Sequence, residues 1–320
     1  MLWIADLFSE LFFLGDIYSY SYRDFLSAIN LLDLFPEDMF NLSVDATDLD
    51  LNFQYIGDQG AVSVAQILVT DTTLISLDLG FNDIGPEGAG LIAAALHLNS
   101  TLLTLNLEVN DIGHVGAAHL ASTLLINSTL TSLNVGSNKL GQKGVEPLGM
   151  ALCSNSSLTA LNLWDNSLGD AGAISILSAL SHNSVLTDLN LSCNNIQISG
   201  GFQVAALITE CCNLRALRLW DNEIDTESAV GIATALHSNS TLRLLSLDHN
   251  RIGPIAGAQL AFSFSLNSTL TELTLKGNAI DGRDLDSIEE GRHRNLFNLH
   301  KRSSTLLELL SNLLDFQTLI

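Results

Sequence analysis

The stretch LISLDLGFNDIGPEGAGLIAAALHLNST, residues 74–101, is followed by LLTLNLEVNDIGHVGAAHLASTLLINST, residues 102–129, and then by LTSLNVGSNKLGQKGVEPLGMALCSNSS, residues 130–157. The step is 28 residues. The same phase continues through Leu158, Leu186, Leu214, Leu242 and Leu270, and reads back to a degenerate first unit at Ala46, without an insertion or deletion. About nine units therefore fill residues 46–297.

Each unit opens on LxxLxLxxN and closes on an amphipathic stretch, so one strand and one helix alternate. In residues 74–101 the strand points Leu74, Leu77 and Leu79 inward, while Ala89, Ile92, Ala93 and Leu96 fall at i, i+3, i+4 and i+7 on one helical face. A single unit can bury neither face. Stacking buries both, which predicts a parallel sheet on one side, helices on the other, and a solenoid curved by the greater width of helices.

An asparagine recurs at the strand exit: Asn82, Asn110, Asn138, Asn166, Asn194, Asn222, Asn250 and Asn278, with Gln54 in the first unit. A carboxamide donates and accepts at once, so stacked asparagines can satisfy the backbone of a buried turn, and losing one is expected to cost about 1–3 kcal/mol. Gly85, Gly113, Gly141, Gly169 and Gly253, and the later Gly88, Gly116, Gly144, Gly172 and Gly200, are read as turn glycines leading into the helix rather than as phosphate loops.

The in-phase LxxLxLxxNxIGxxGAxxLAxAL pattern resembles the ribonuclease-inhibitor-like class of leucine-rich repeats, which includes the sensing domains of NOD-like receptors and Ran GTPase-activating protein. The resemblance covers about four-fifths of the chain. It implies an α/β leucine-rich-repeat solenoid, a horseshoe with its parallel sheet on the concave face and its helices on the convex face. It says little about the partner, because this class serves many unrelated interactions.

Charge is unevenly placed. The formal total is −22. Residues 1–213 hold 22 acids against Arg23, Lys139 and Lys143, giving −19, and the remainder holds 13 acids against 10 bases, giving −3. The first two-thirds should repel nucleic acid and anionic lipid and steer basic protein surfaces inward. Cys153, Cys193, Cys211 and Cys212 form no CxxC pair, which fits free thiols in the cytoplasm. The opening MLWIADLFSELFFLGD lacks a basic leader, and Asp6, Glu10 and Asp16 interrupt it, so neither a standard signal peptide nor a membrane span is expected. Triplets such as Asn99 to Thr101 match glycosylation sequons but recur with the repeat, which reads as structure.

Residues 1–45 leave the repeat, and Phe25, Leu26, Ile29 and Leu32 at helical spacing predict a helical cap over the first units, closed by a break at Pro36. The last unit replaces inward helix positions with Glu289 and Arg292. Leu306, Leu307, Leu309, Leu310, Leu313, Leu314 and Phe316 then predict a closing helix over 298–320, preceded by a basic knot of Arg292, Arg294, Lys301 and Arg302.

The positions between and just after the inward leucines face the concave side. Phe53, Phe81, Trp164 and Trp220 stand there, the tryptophans in identical LWDN contexts two repeats and about 10 Å apart. Large aromatics on a rigid face dominate interface energetics, so Trp164 and Trp220 are the expected anchors. Ribonuclease inhibitor is similar in placing tryptophan before an acid at concave positions, which supports Trp164-Asp165 and Trp220-Asp221. Asp48, Asp50, Asp78, Asp83, Glu108, Asp111, Asp165, Asp221 and Asp248 are expected on the same side. Like charges there sit about 5 Å apart at roughly 1–3 kcal/mol per close pair, which a basic partner would relieve. His249 beside Asp248, with Arg218 and Arg251, gives the later repeats a mixed-charge patch.

Other chemistries fit less well. A calcium site from Asp48, Asp50 and Asp78 would need convergent oxygens, and a flat ladder diverges. The eight histidines are scattered, with His97 and His237 at equivalent outer helix positions, and no nucleophile, base and orienting acid can be assembled. No GxxxxGK[ST] motif occurs. The leading expectation is a non-enzymatic protein-binding module without cofactor or metal, of undetermined oligomeric state, that takes a basic protein surface on its concave face. The resemblance also leaves open a regulator of a small GTPase, although the inserted loops and long acidic tail expected of that family are missing, and the ligand-sensing part of a larger receptor. A bacterial protein directed into host cytosol stays open too.

Overall fold

The computed structural model describes residues 47–211 and 213–317, with side chains as far as Lys301. The expected cap over 1–45 lies outside the described residues. Among the described residues, strands and helices alternate strictly: β1 (Asp48–Asp50), α1 (Gly57–Thr70), β2 (Ser76–Asp78), α2 (Pro86–Leu96), β3 (Thr104–Asn106), α3 (Gly113–Leu124), β4 (Ser132–Asn134), α4 (Gly141–Leu152), β5 (Ala160–Asn162), α5 (Gly169–Ala179), β6 (Asp188–Asn190), α6 (Ile198–Glu210), β7 (Ala216–Arg218), α7 (Thr226–Ser238), β8 (Leu244–Ser246), α8 (Pro254–Leu266), β9 (Glu272–Thr274) and α9 (Gly282–Gln317). The strands form one parallel sheet in chain order. Each strand pairs with its neighbour at an offset of 28, so Leu77, Leu105, Leu133 and Leu161 stack in one buried column. This is the leucine-rich-repeat solenoid that the periodicity predicts.

The asparagine ladder has a direction. Asn166 accepts from the backbone N–H groups of Asn138 (3.0 Å) and Leu140 (3.2 Å) in the preceding turn. Its amide donates to Val135 O (2.9 Å), also in the preceding unit, and to Leu163 O and Trp164 O (each 3.1 Å) in its own. Each turn is thus completed by the unit that follows it.

A second ladder runs along the helix ends. The Nδ2 atoms of Asn99, Asn127, Asn155 and Asn183 donate to Leu68 O, Leu96 O, Leu124 O and Leu152 O, while their Oδ1 atoms accept from backbone N–H groups two and three residues on. Three of these four open sequons, yet all four are buried and hold the return from helix to strand. Asp71 takes this place in the first unit. Burial pushes its carboxyl up, but the hydrogen bonds from Thr73 and Leu74 outweigh that and leave it below the usual carboxylate range.

Where a unit carries both glycines, the two have different roles, which corrects their common reading as turn residues. Gly141 takes φ +60 at the entrance to α4, with open space where a Cβ would stand. At Gly85 and Gly253 the backbone is extended instead, because Pro86 and Pro254 follow and disfavour a helical residue before them. Gly116 lies inside α3, where a Cβ would come within 2.5 Å of Ile112 Cγ2 and 3.0 Å of Ala89 Cβ. It permits close helix approach.

At the far end, α9 runs unbroken for 36 residues, so the expected boundary at 297/298 falls inside one helix. Asn295 keeps the second ladder by donating to Asn267 O and Leu270 O, but no LxxLxL strand follows it, and the chain stays helical. Glu289 and Arg292 are covered by no further unit among the described residues, and they pair at 2.5 Å.

His97 ends α2 half-buried rather than on the outer face, its Nε2 buried without a hydrogen-bond partner among the described residues, and burial holds its imidazole below the usual range. His119 of α3 packs on Gly90 of α2; burial lowers it as well, against the opposing pull of Glu87. Groups depressed in the folded state favour folding above their unfolded pKa of about 6.5 and oppose it as pH falls below that value. The urea midpoint is therefore expected to drop between pH 7.5 and pH 5.5, and to drop less in a His97→Gln/His119→Gln variant. Equal drops would show that these histidines carry none of the effect.

Candidate protein-binding surface

Three rows of side chains cross the concave side where the strands end. The first is the third strand residue: Asp50, Asp78, Asn106, Asn134, Asn162 and Asn190, then Arg218. From Asp50 to Asn190 each side-chain oxygen accepts the backbone N–H two residues on, at 2.8–3.1 Å. These groups cap the strand exits. Asp50 and Asp78 are direct neighbours in the sheet, as expected, but Asp78 also accepts Asn106 Nδ2 at 2.9 Å, so its carboxylate is occupied from within. Arg218 pairs with Asp188 at 2.5 Å.

The second row, two residues later, runs Gly80, Glu108, Gly136, Trp164, Ser192, Trp220 and Asp248. The two tryptophans differ. Trp164 lies back over Gly136, where a Cβ would clash at 2.1 Å, and its Nε1 donates to Glu108 Oε1 at 3.1 Å; the other Glu108 oxygen accepts Asn134 Nδ2 at 2.7 Å. This indole is half-buried and fixed to its own sheet. Trp220 is 38 % exposed, and its indole N–H has no acceptor among the described residues. Asp248 is occupied from within, accepting from Thr274 Oγ1 (2.6 Å) and the Lys276 backbone N–H (2.6 Å).

The third row is the next residue: Phe53, Phe81, Val109, Ser137, Asp165, Cys193, Asp221 and His249. All have φ between 50 and 58, a left-handed conformation costly to residues with a Cβ and most so to a branched one such as Val109. It lets each N–H extend the ladder past the strand, as from Phe81 N to Glu108 O (2.9 Å) and from Asp165 N to Ser192 O (3.0 Å). Phe53 and Phe81 stack at 4.3 Å and are exposed, beside an exposed Tyr55.

Asp165 accepts Ser137 Oγ at 2.7 Å, and Asp221 accepts the Cys193 thiol at 3.6 Å. Burial, then the charge and hydrogen bond of Asp221, then the charge of Asp165, push the Cys193 thiol up to about 12, which keeps it protonated and a poor nucleophile near neutral pH. Asp111 pairs with Lys139 at 2.9 Å on the open surface. His249 turns toward the next repeat, its ring occupying the space above Gly277. An open depression lined by Asp165, Cys193, Asp221, Glu223, His249 and Arg251 marks the later part of this rim.

The surface therefore divides. Asp50, Asp78, Glu108, Trp164, Arg218 and Asp248 are engaged with their own scaffold, whereas Phe53, Phe81, Trp220 and Asp221 offer groups outward. The Trp164–Gly136–Glu108 arrangement escapes a reading of single repeats, because it spans three of them. A glycine at a row position next to an indole was its one sequence signal. Among the described residues no group of three or more His, Cys, Asp or Glu converges on a point, and no helix is long and apolar enough to cross a membrane.

A family model described as leucine-rich repeat matches residues 70–93, 98–121, 127–149, 154–177, 182–205, 210–233, 238–261 and 266–288. No curated relative matches the chain. Among solved structures, the tropomodulin C-terminal domain from Caenorhabditis elegans is 15% identical with TM-score 0.45, over 50% of this chain and 98% of its own. Leiomodin-1 actin-binding site 2 is 17% identical with TM-score 0.39, over 62% and 96%. An internalin C2 from Listeria monocytogenes is 23% identical with TM-score 0.46, over 70% and 80%.

Proposed function

Since this chain belongs to the leucine-rich-repeat family, whose repeats generally mediate protein–protein interaction, we propose that it is a ribonuclease-inhibitor-like protein-binding module working through the strand-exit side of its concave face. The partner presents a basic surface. The observation that carries this is Trp220: a large ring held on a rigid sheet, 38 % exposed, with its N–H unspent and Asp221 beside it. Such a ring buries much area on contact and loses little side-chain freedom. Acids of the first two-thirds of the chain supply long-range attraction, and the three described cysteines, all free thiols, fit the reducing cytoplasm.

Affinity capture from cells with wild-type protein and a Trp220→Ala variant, compared by mass spectrometry, tests the reading. Retention of the specific partners is expected to fall about 30-fold in the variant, the effect of losing roughly 2 kcal/mol at an interface centre. Partners retained equally by both would refute it.

A further inference from the structure

Resting on that reading, we infer that Trp220 and Asp221 together form a subsite for an arginine side chain of the partner, its guanidinium plane laid on the indole and its N–H fork turned to the carboxylate. Three features support it. The ring of Trp220 is open where that of Trp164 is tied down by Glu108. Asp221 accepts a single thiol hydrogen and pairs with no cation among the described residues: Arg251, which lines the same depression, is paired with Glu223, and Arg218 with Asp188. The third feature is Ser192, which stands to Trp220 as Gly136 stands to Trp164. It is fully buried, and its hydroxyl has no hydrogen-bond partner among the described residues. An apolar ligand would leave Asp221 and the Trp220 N–H unpaired, and an anion would meet Asp165, Asp221 and Glu223. A cation that is also a plane answers both the ring and the acid. Guanidinium has that shape, whereas a lysine ammonium is a compact, strongly hydrated charge that gains less from an indole face.

The test uses the full chain with hexa-arginine and hexa-lysine, equal in charge, so that general attraction to an acidic protein cancels between them. Hexa-arginine is expected to bind about tenfold tighter than hexa-lysine by calorimetry near 0.15 M salt, with quenching of indole fluorescence. That preference should vanish in Trp220→Leu and in Asp221→Asn, the latter an exposed position whose replacement leaves the core untouched. It should persist in Trp164→Phe, which keeps a ring over Gly136. Equal affinity for the two peptides, or a preference that survives Trp220→Leu, overturns the arginine subsite. If cellular partners are still lost on Trp220→Ala while the peptides bind alike, the subsite fails and the concave-face reading stands. If the partners are also retained, both fail.

Discussion

Asn166→Ala is expected to lower the stability of the solenoid by about 3 kcal/mol or more, since it leaves several buried backbone groups without partners in one step. The carboxamide of Asn166 accepts from Asn138 N and Leu140 N and donates to Val135 O, and the side chain is fully buried, so water cannot replace it. These bonds join two units, and the coupling between neighbours holds a stack of repeats to a single transition. Urea unfolding of the variant should therefore show a lowered midpoint and a broadened or divided transition, whereas Asn134→Ala, at a half-buried capping position in the first concave row, should shift the midpoint by a smaller amount. A loss under about 1 kcal/mol at Asn166 would mean that the ladder is not what couples the units.

Phe264→Ala is expected to cost about 3–5 kcal/mol, the range for emptying a well-packed aromatic site. Phe264 is fully buried and lies against α9, where a Cβ on Gly291 would come within 2.8 Å of Cδ1. Arg294 Nη2 donates to the Phe264 carbonyl at 2.9 Å, so the same residue holds α9 by its ring and by its backbone. Truncating the ring should loosen the end of the stack first. Amide exchange is expected to rise most across Gly282–Asn295 and least around β4 and β5, and a uniform rise along the chain would contradict this local account.

The architecture was readable because its causes repeat. Leucines, asparagines and glycines return every 28 residues without a slip, so strand positions, helix faces and the buried column of leucines follow from spacing alone. The second asparagine ladder was equally visible in the NST triplets, and only its role was not, since a sequon and a buried helix-to-strand clamp are written with the same letters. The surface was legible in part. Sequence places Trp164 and Trp220 on one side but gives them equal standing. What separates them is the occupant of the preceding repeat: Gly136 gives one ring a bed and Glu108 an acceptor, while Trp220 finds Ser192 in that place and no acceptor for its N–H. Internal occupation of Asp78 and Asp248 was hidden for the same reason, because the groups that occupy them stand 26 or 28 positions away.

The direction of the asparagine ladder bears on how the protein is made. On a ribosome the N-terminal units emerge first, yet each turn waits for a carboxamide 26 to 28 residues downstream. A nascent chain of this kind carries one unfinished turn at its growing end until the next repeat has left the exit tunnel.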